Sequence, residues 1–106
     1  MNPKTILLVE DNPSDIKLTR RAFEKSRIAN KLIVAEDGQE ALEYLFNMDP
    51  LTGLRLNELP ALVLLDLKLP KVDGLQVLSQ IRKDDHTSRL PVVILTTSNE
   101  EQDVVQ

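Results

Sequence analysis

Two apolar runs end in carboxylates. Thr5-Ile6-Leu7-Leu8-Val9 is followed by Glu10-Asp11, and Leu62-Val63-Leu64-Leu65 is closed by Asp66. An unbroken apolar run bounded by turn residues reads as a strand buried on both faces, as in a parallel sheet. Between and after these runs the period changes. Pro13 to about Ile28 reads as a helix, with Ile16, Thr19, Ala22 and Phe23 near helical spacing and Asn12 or Asp11 as its cap. Lys31 to Glu36 is a second strand, and Asp37-Gly38 opens a helix striped by Ala41, Leu42, Leu45 and Phe46. Asp49 to Pro60 is a loop marked by Pro50, Gly53 and Pro60, long for this kind of connection. After Pro70 and Gly74 comes a helix carrying Leu75, Leu78 and Ile81 with Val77 flanking. Val92 to Leu95 is the fourth strand, and a further helix is expected from Asn99, capped by Asn99 or Ser98.

Strands alternating with helices of this length predict βαβ units, right-handed crossovers and a parallel sheet. Carboxylates at the carboxyl ends of two such strands stand where open α/β sheets place their ligands. Adjacent strands would bring Glu10, Asp11 and Asp66 to one edge, where three carboxylates repel and burial disfavours their ionisation further. A hard divalent cation relieves that conflict, and few, partly hydrated protein contacts suit Mg²⁺ better than a Ca²⁺ cage. Capping and surface charge are the ordinary alternative for Glu10 and Asp11.

The order and spacing of three segments carry a resemblance. Ile6-Leu7-Leu8-Val9-Glu10-Asp11-Asn12, then Leu65-Asp66-Leu67-Lys68-Leu69-Pro70-Lys71-Val72-Asp73-Gly74, then Pro91-Val92-Val93-Ile94-Leu95-Thr96-Thr97-Ser98 together resemble a response regulator receiver domain of two-component signalling. The wording around Asp66 is most similar to that of stand-alone cyanobacterial phytochrome-type regulators. The resemblance implies a flavodoxin-like (CheY-like) doubly wound sheet, strand order 2-1-3-4, with one receiver domain over residues 1–106. It implies Asp66 as phosphoacceptor from a sensor histidine kinase, Thr96 as the switch hydroxyl, and the Thr97 main-chain N–H as a phosphate contact. Mg²⁺ would be held by Asp11, Asp66 and the main-chain carbonyl of Lys68, with Glu10 acting through water. The output would be contact with a downstream protein, and no turnover of a separate substrate is expected.

Gly74 is expected to supply a backbone conformation closed to other residues, and Pro70 to stiffen the loop behind the phosphate site. Lys68, Lys71 and Arg89 are expected on the solvated surface, and His86, the single histidine, in a polar loop. By the same resemblance the chain stops inside the fourth helix, before a fifth strand with its phosphate-binding lysine and a fifth helix. Impaired phosphorylation would follow, as would an exposed fourth-strand edge and hence oligomerisation or strand exchange. A receiver-like interaction scaffold is therefore the second reading. A haloacid-dehalogenase-type phosphatase fits less well, because it calls for a second aspartate where Lys68 stands.

Composition narrows the field further. The chain has 106 residues, no cysteine and 3% aromatics, so it forms one domain with an aliphatic core and no disulfide or thiol chemistry. A net charge of −4 argues against binding a phosphate backbone. Nothing resembles a signal peptide or a bilayer-spanning stretch, and a soluble, cytoplasmic setting is expected.

Overall fold

Ile6, Leu7, Leu8 and Val9 form β1, and all four are buried. The structure is a computed structural model and describes residues 4–69 and 73–95. Along them follow α1 (Pro13–Lys25), β2 (Leu32–Ala35), α2 (Gly38–Leu45), β3 (Leu62–Asp66), α3 (Gly74–Lys83) and β4 (Val92–Leu95). The four strands form one parallel sheet in the order β2-β1-β3-β4, as expected for a flavodoxin-like fold. β1 lies between β2 and β3 and is the one described strand buried at every position, and its register sets Val9 beside both Ala35 and Leu65.

Alternation along the strands divides the sheet's two faces. Leu7, Val9, Val63 and Leu65 share one face with Ala41 and Leu45 of α2 and Val77 and Ile81 of α3 in a single core cluster. Ile6 and Leu8 point to the opposite face. Right-handed crossovers place α1 on that side, because the chain reverses its direction across the sheet after β2. The half-buried positions of α1 are Asp15, Ile16, Thr19 and Phe23, while Ala22 is exposed.

Helix boundaries follow from capping chemistry. Asn12 caps α1, its side chain accepting from the Ser14 and Asp15 N–H groups at 2.8 and 3.3 Å. The helix ends three residues before the expected Ile28. Arg27 lies in the left-handed region at φ 56°, and the Ile28 N–H turns back to the Phe23 carbonyl at 3.1 Å. The Arg27 N–H bonds to the Glu24 carbonyl, so the two bonds make a Schellman stop with arginine where glycine is usual. Asp37 caps α2 by accepting from the Glu40 N–H at 2.8 Å.

The apolar face of α3 differs from expectation. Val77 and Ile81 are fully buried, and Leu78 is half-buried beside them. Leu75 is 64% exposed. Residues two apart on a helix are separated by about 200°, so the Val77–Ile81 pair turns Leu75 away from the core. At the end of α3, the buried Thr87 hydroxyl donates to the Ile81 carbonyl at 2.6 Å. Arg82 donates from Nη1 to the Ser88 and Leu90 carbonyls at 3.1 and 2.7 Å, fixing the approach to β4. His86 is exposed in this turn, beside Asp84.

The stretch from Asp49 to Pro60 has more structure than a plain loop. Met48 and Arg55 form an antiparallel bridge, and the Leu56 N–H bonds to the Asn47 carbonyl at 2.8 Å. Gly53 turns the tip at φ 72°. Arg55 anchors the hairpin by donating to the Leu45 and Asn57 carbonyls. Leu51, Leu54 and Leu56 are left exposed. Among the described residues no helix is long and apolar enough to cross a membrane.

Candidate functional site

β1 and β3 deliver the carboxylates. Val9 pairs with Leu65, so the residues that follow, Glu10 and Asp66, emerge together at the carboxyl end of the sheet. Both are buried, whereas Asp11 is exposed. One carboxylate oxygen from each of Glu10, Asp11 and Asp66 lies within 4.8 Å of the others. The expected triplet is thus assembled. A separate cavity of about 470 Å³, lined by residues including Lys4, Arg55 and Leu59, lies at the other end of the sheet and plays no part in this grouping.

The cluster holds charge at a cost. Burial pushes the Glu10 carboxyl up to about 7, and the neighbouring Asp66 and Asp15 carboxylates push in the same direction. The main-chain N–H of Asn12, donating to Glu10 Oε2 at 3.2 Å, works against them. Glu10 is itself tied into the sheet, its N–H donating to the Ala35 carbonyl at 2.9 Å. Asp66 Oδ1 accepts from the Lys68 N–H at 3.0 Å, which folds the chain sharply after β3. All the candidate donors are hard oxygens and two of the carboxylates are buried. That donor set fits a hard divalent cation, which would also lift the penalty on ionising Glu10.

Lys68 and Arg89 are exposed, as expected. Thr96, Thr97, Pro70, Lys71 and the helix expected from Ser98 or Asn99 lie outside the described residues. Asn12 was foreseen only as a cap, yet its N–H also reaches Glu10. The sequence signal for that contact is its place between the acidic pair and Pro13. Gly74 corrects an expectation. It does not have a positive φ. Its N–H donates to the Leu67 carbonyl at 3.1 Å, and a Cβ built on it would meet Leu67 Cα at 2.5 Å and the Asp66 carbonyl oxygen at 2.6 Å. Close backbone approach is what excludes a side chain there.

A parallel 2-1-3-4 sheet with hard oxygen donors gathered at the β1/β3 switch point defines a flavodoxin-like α/β module of the CheY-like type. The chain belongs to the response regulator receiver domain family, whose model matches residues 6–106. It is 44% identical over 108 residues to the probable methanogenesis regulatory protein FilR2 of Methanothrix harundinacea, covering 97% of this chain but only 64% of that relative. It is 42% identical over 103 residues to the response regulator Rcp1 of Synechocystis, covering 97% of this chain and 68% of Rcp1.

Solved structures agree. The bacteriophytochrome response regulator AtBRR superposes with a TM-score of 0.81 at 54% identity, over 99% of this chain and 74% of its own. The Mn²⁺-bound form of Rcp1 gives 0.79 at 42%, over 97% and 72%. The phosphorylated cyanobacterial phytochrome response regulator RcpA gives 0.76 at 41%, over 97% and 71%.

Proposed function

We propose that this chain is the phospho-accepting receiver of a two-component phosphorelay, with Asp66 as the acceptor. The observation that carries the reading is the buried convergence of Glu10 and Asp66 with Asp11 at the end of two paired strands. A structural module has no physical need for that concentration of carboxylate. In the reaction, an Asp66 carboxylate oxygen attacks phosphorus. The new O–P bond forms as the P–N bond to the histidine of a sensor kinase breaks, and the imidazole nitrogen keeps the bonding pair.

Little covalent chemistry is asked of the protein. Positioning and charge neutralisation supply most of the acceleration in phosphoryl transfer. Asp11, Asp66 and the Lys68 main-chain carbonyl would hold Mg²⁺, with Glu10 through water. Bound there, the ion neutralises developing charge on the phosphoryl oxygens. Similarity to a Mn²⁺-bound and to a phosphorylated regulator supports both parts of this reading. Thr96 would donate its hydroxyl to the phosphate, and Thr97 its main-chain N–H. The added charge would be passed on by protein–protein contact with a downstream target. Similarity to phytochrome-type regulators supports a phytochrome-type kinase as the donor.

The test is intact mass after incubation with acetyl phosphate, with and without Mg²⁺, for the wild type and Asp66→Asn. A single Mg²⁺-dependent phosphoryl adduct, absent from the variant, is expected. No adduct from a folded, Mg²⁺-binding chain would shift the reading to an interaction scaffold.

A further inference from the structure

We infer that Gly74 is a positioning residue for the carboxylate site, acting through the side chain it lacks. The inference rests on the reading of Asp66 as phosphoacceptor. Gly53 and Gly74 differ in kind. Gly53 has a positive φ with nothing within 4 Å of a built Cβ, whereas Gly74 has an ordinary φ and no room. The atoms in the way at Gly74 are Leu67 Cα at 2.5 Å and the carbonyl oxygen of Asp66 itself at 2.6 Å, with Leu67 Cδ2 at 3.1 Å. Two of the three are backbone, so no rotamer change can clear them.

The Leu67–Gly74 contact joins the end of β3 to the start of α3. The Gly74 N–H donates to the Leu67 carbonyl, and the first turn of α3 is pressed onto the end of β3. A side chain at Gly74 forces one of the two to give. α3 is held by Val77 and Ile81, both fully buried, and by the Asp73 cap on the Gln76 N–H at 3.0 Å. The displacement then falls at least in part on the Asp66–Leu67 peptide, at the last rung of β3 where Asp66 pairs with Leu95. Movement of that peptide carries the Asp66 carboxylate, and with it the Lys68 N–H that bonds to Oδ1 at 3.0 Å. A misplacement of about 1 Å in a reacting group is enough for roughly a hundredfold loss of rate. A glycine required only for folding would behave differently: its replacement would lower stability, but the molecules that fold would keep an intact site.

The experiment uses the full chain as Gly74→Ala, at a temperature where circular dichroism shows it folded. Mg²⁺ affinity is read from backbone amide shifts, and adduct formation from intact mass with acetyl phosphate. A loss of tenfold or more in both, with a displaced Lys68 amide resonance, is expected. Affinity within threefold of wild type and an unmoved Lys68 resonance overturn the inference. If Gly74→Ala does not fold, Leu67→Ala decides, since it trims the side chain and leaves the backbone approach intact. Mg²⁺ affinity within threefold supports the backbone contact; a tenfold loss assigns the positioning to the leucine side chain and overturns the inference. Failure of the underlying reading looks different, as wild type then shows neither Mg²⁺-dependent shifts nor an adduct. The Lys68 resonance in Gly74→Ala still decides the positioning in that case.

Discussion

Glu10 and Asp66 are cross-strand neighbours one step beyond the Val9–Leu65 pair, both buried and both acidic. Glu10 is the member that yields, its carboxyl raised from 4.5 to about 7 first by burial and then by the nearby carboxylates. A raised acid binds its proton more tightly in the folded state than in the unfolded one. The metal-free protein is therefore stabilised below about pH 4.5 and loses that stability as pH rises to about 7. Thermal melts in a chelator from pH 4 to 8 should show the decline. Glu10→Gln should flatten it and raise the melting temperature above pH 7. A wild-type melting temperature that rises across that window would contradict the burial argument.

Asp11 is the exposed member of the cluster. Asp11→Asn should cut Mg²⁺ affinity at least tenfold while leaving folding stability within about 0.5 kcal/mol, as usual for a surface change. Calorimetric titration beside urea unfolding separates the two effects. Unchanged affinity would remove the acidic cluster as the cation site.

Arg27 ends α1 at φ 56°, where a side chain crowds its own backbone. Arg27→Gly should raise stability by about 1 kcal/mol, since glycine takes this conformation without that penalty. The urea midpoint is the readout, and a lower midpoint would show that the arginine side chain has an anchoring role.

Thr87 is fully buried, and its hydroxyl satisfies the Ile81 carbonyl near the end of α3. Thr87→Val keeps the shape and leaves that carbonyl unpaired, for an expected loss of about 1–3 kcal/mol. Mg²⁺ affinity should not change, because the turn is remote from the carboxylates.

Much of this architecture was legible from local pattern. The runs before Glu10 and Asp66 are apolar at every position, and a strand buried on both faces is the simplest way to hide them. Asn12 before Pro13, and Asp37 three residues before Glu40, mark helix starts by capping chemistry that operates within a few residues. The less legible features depend on tertiary docking or on backbone bonds that leave no pattern in the residue types. Nothing local distinguishes Leu75 from Leu78 until α3 docks through Val77 and Ile81. Arg27 conceals a helix stop that glycine would have announced. The hairpin closed by Met48 and Arg55 depends on backbone bonding with no periodic signal. Gly74 was recognisable as special, but the reason, proximity to Asp66 and not backbone conformation, exists only in three dimensions.

The pairing of β1 with β3 also constrains when the site can form. Glu10 and Asp11 are synthesised long before Asp66, and β1 can first pair only with β2, its near neighbour in the chain. Non-local parallel pairing is slow, because the intervening chain must be ordered before the contact rewards it. Until β3 docks, Glu10 faces water and stays ionised. Closing the sheet brings the repulsion and the burial together in a single late event. A divalent cation present during folding would then lower the barrier at that step, so Mg²⁺ should speed refolding as well as stabilise the finished domain.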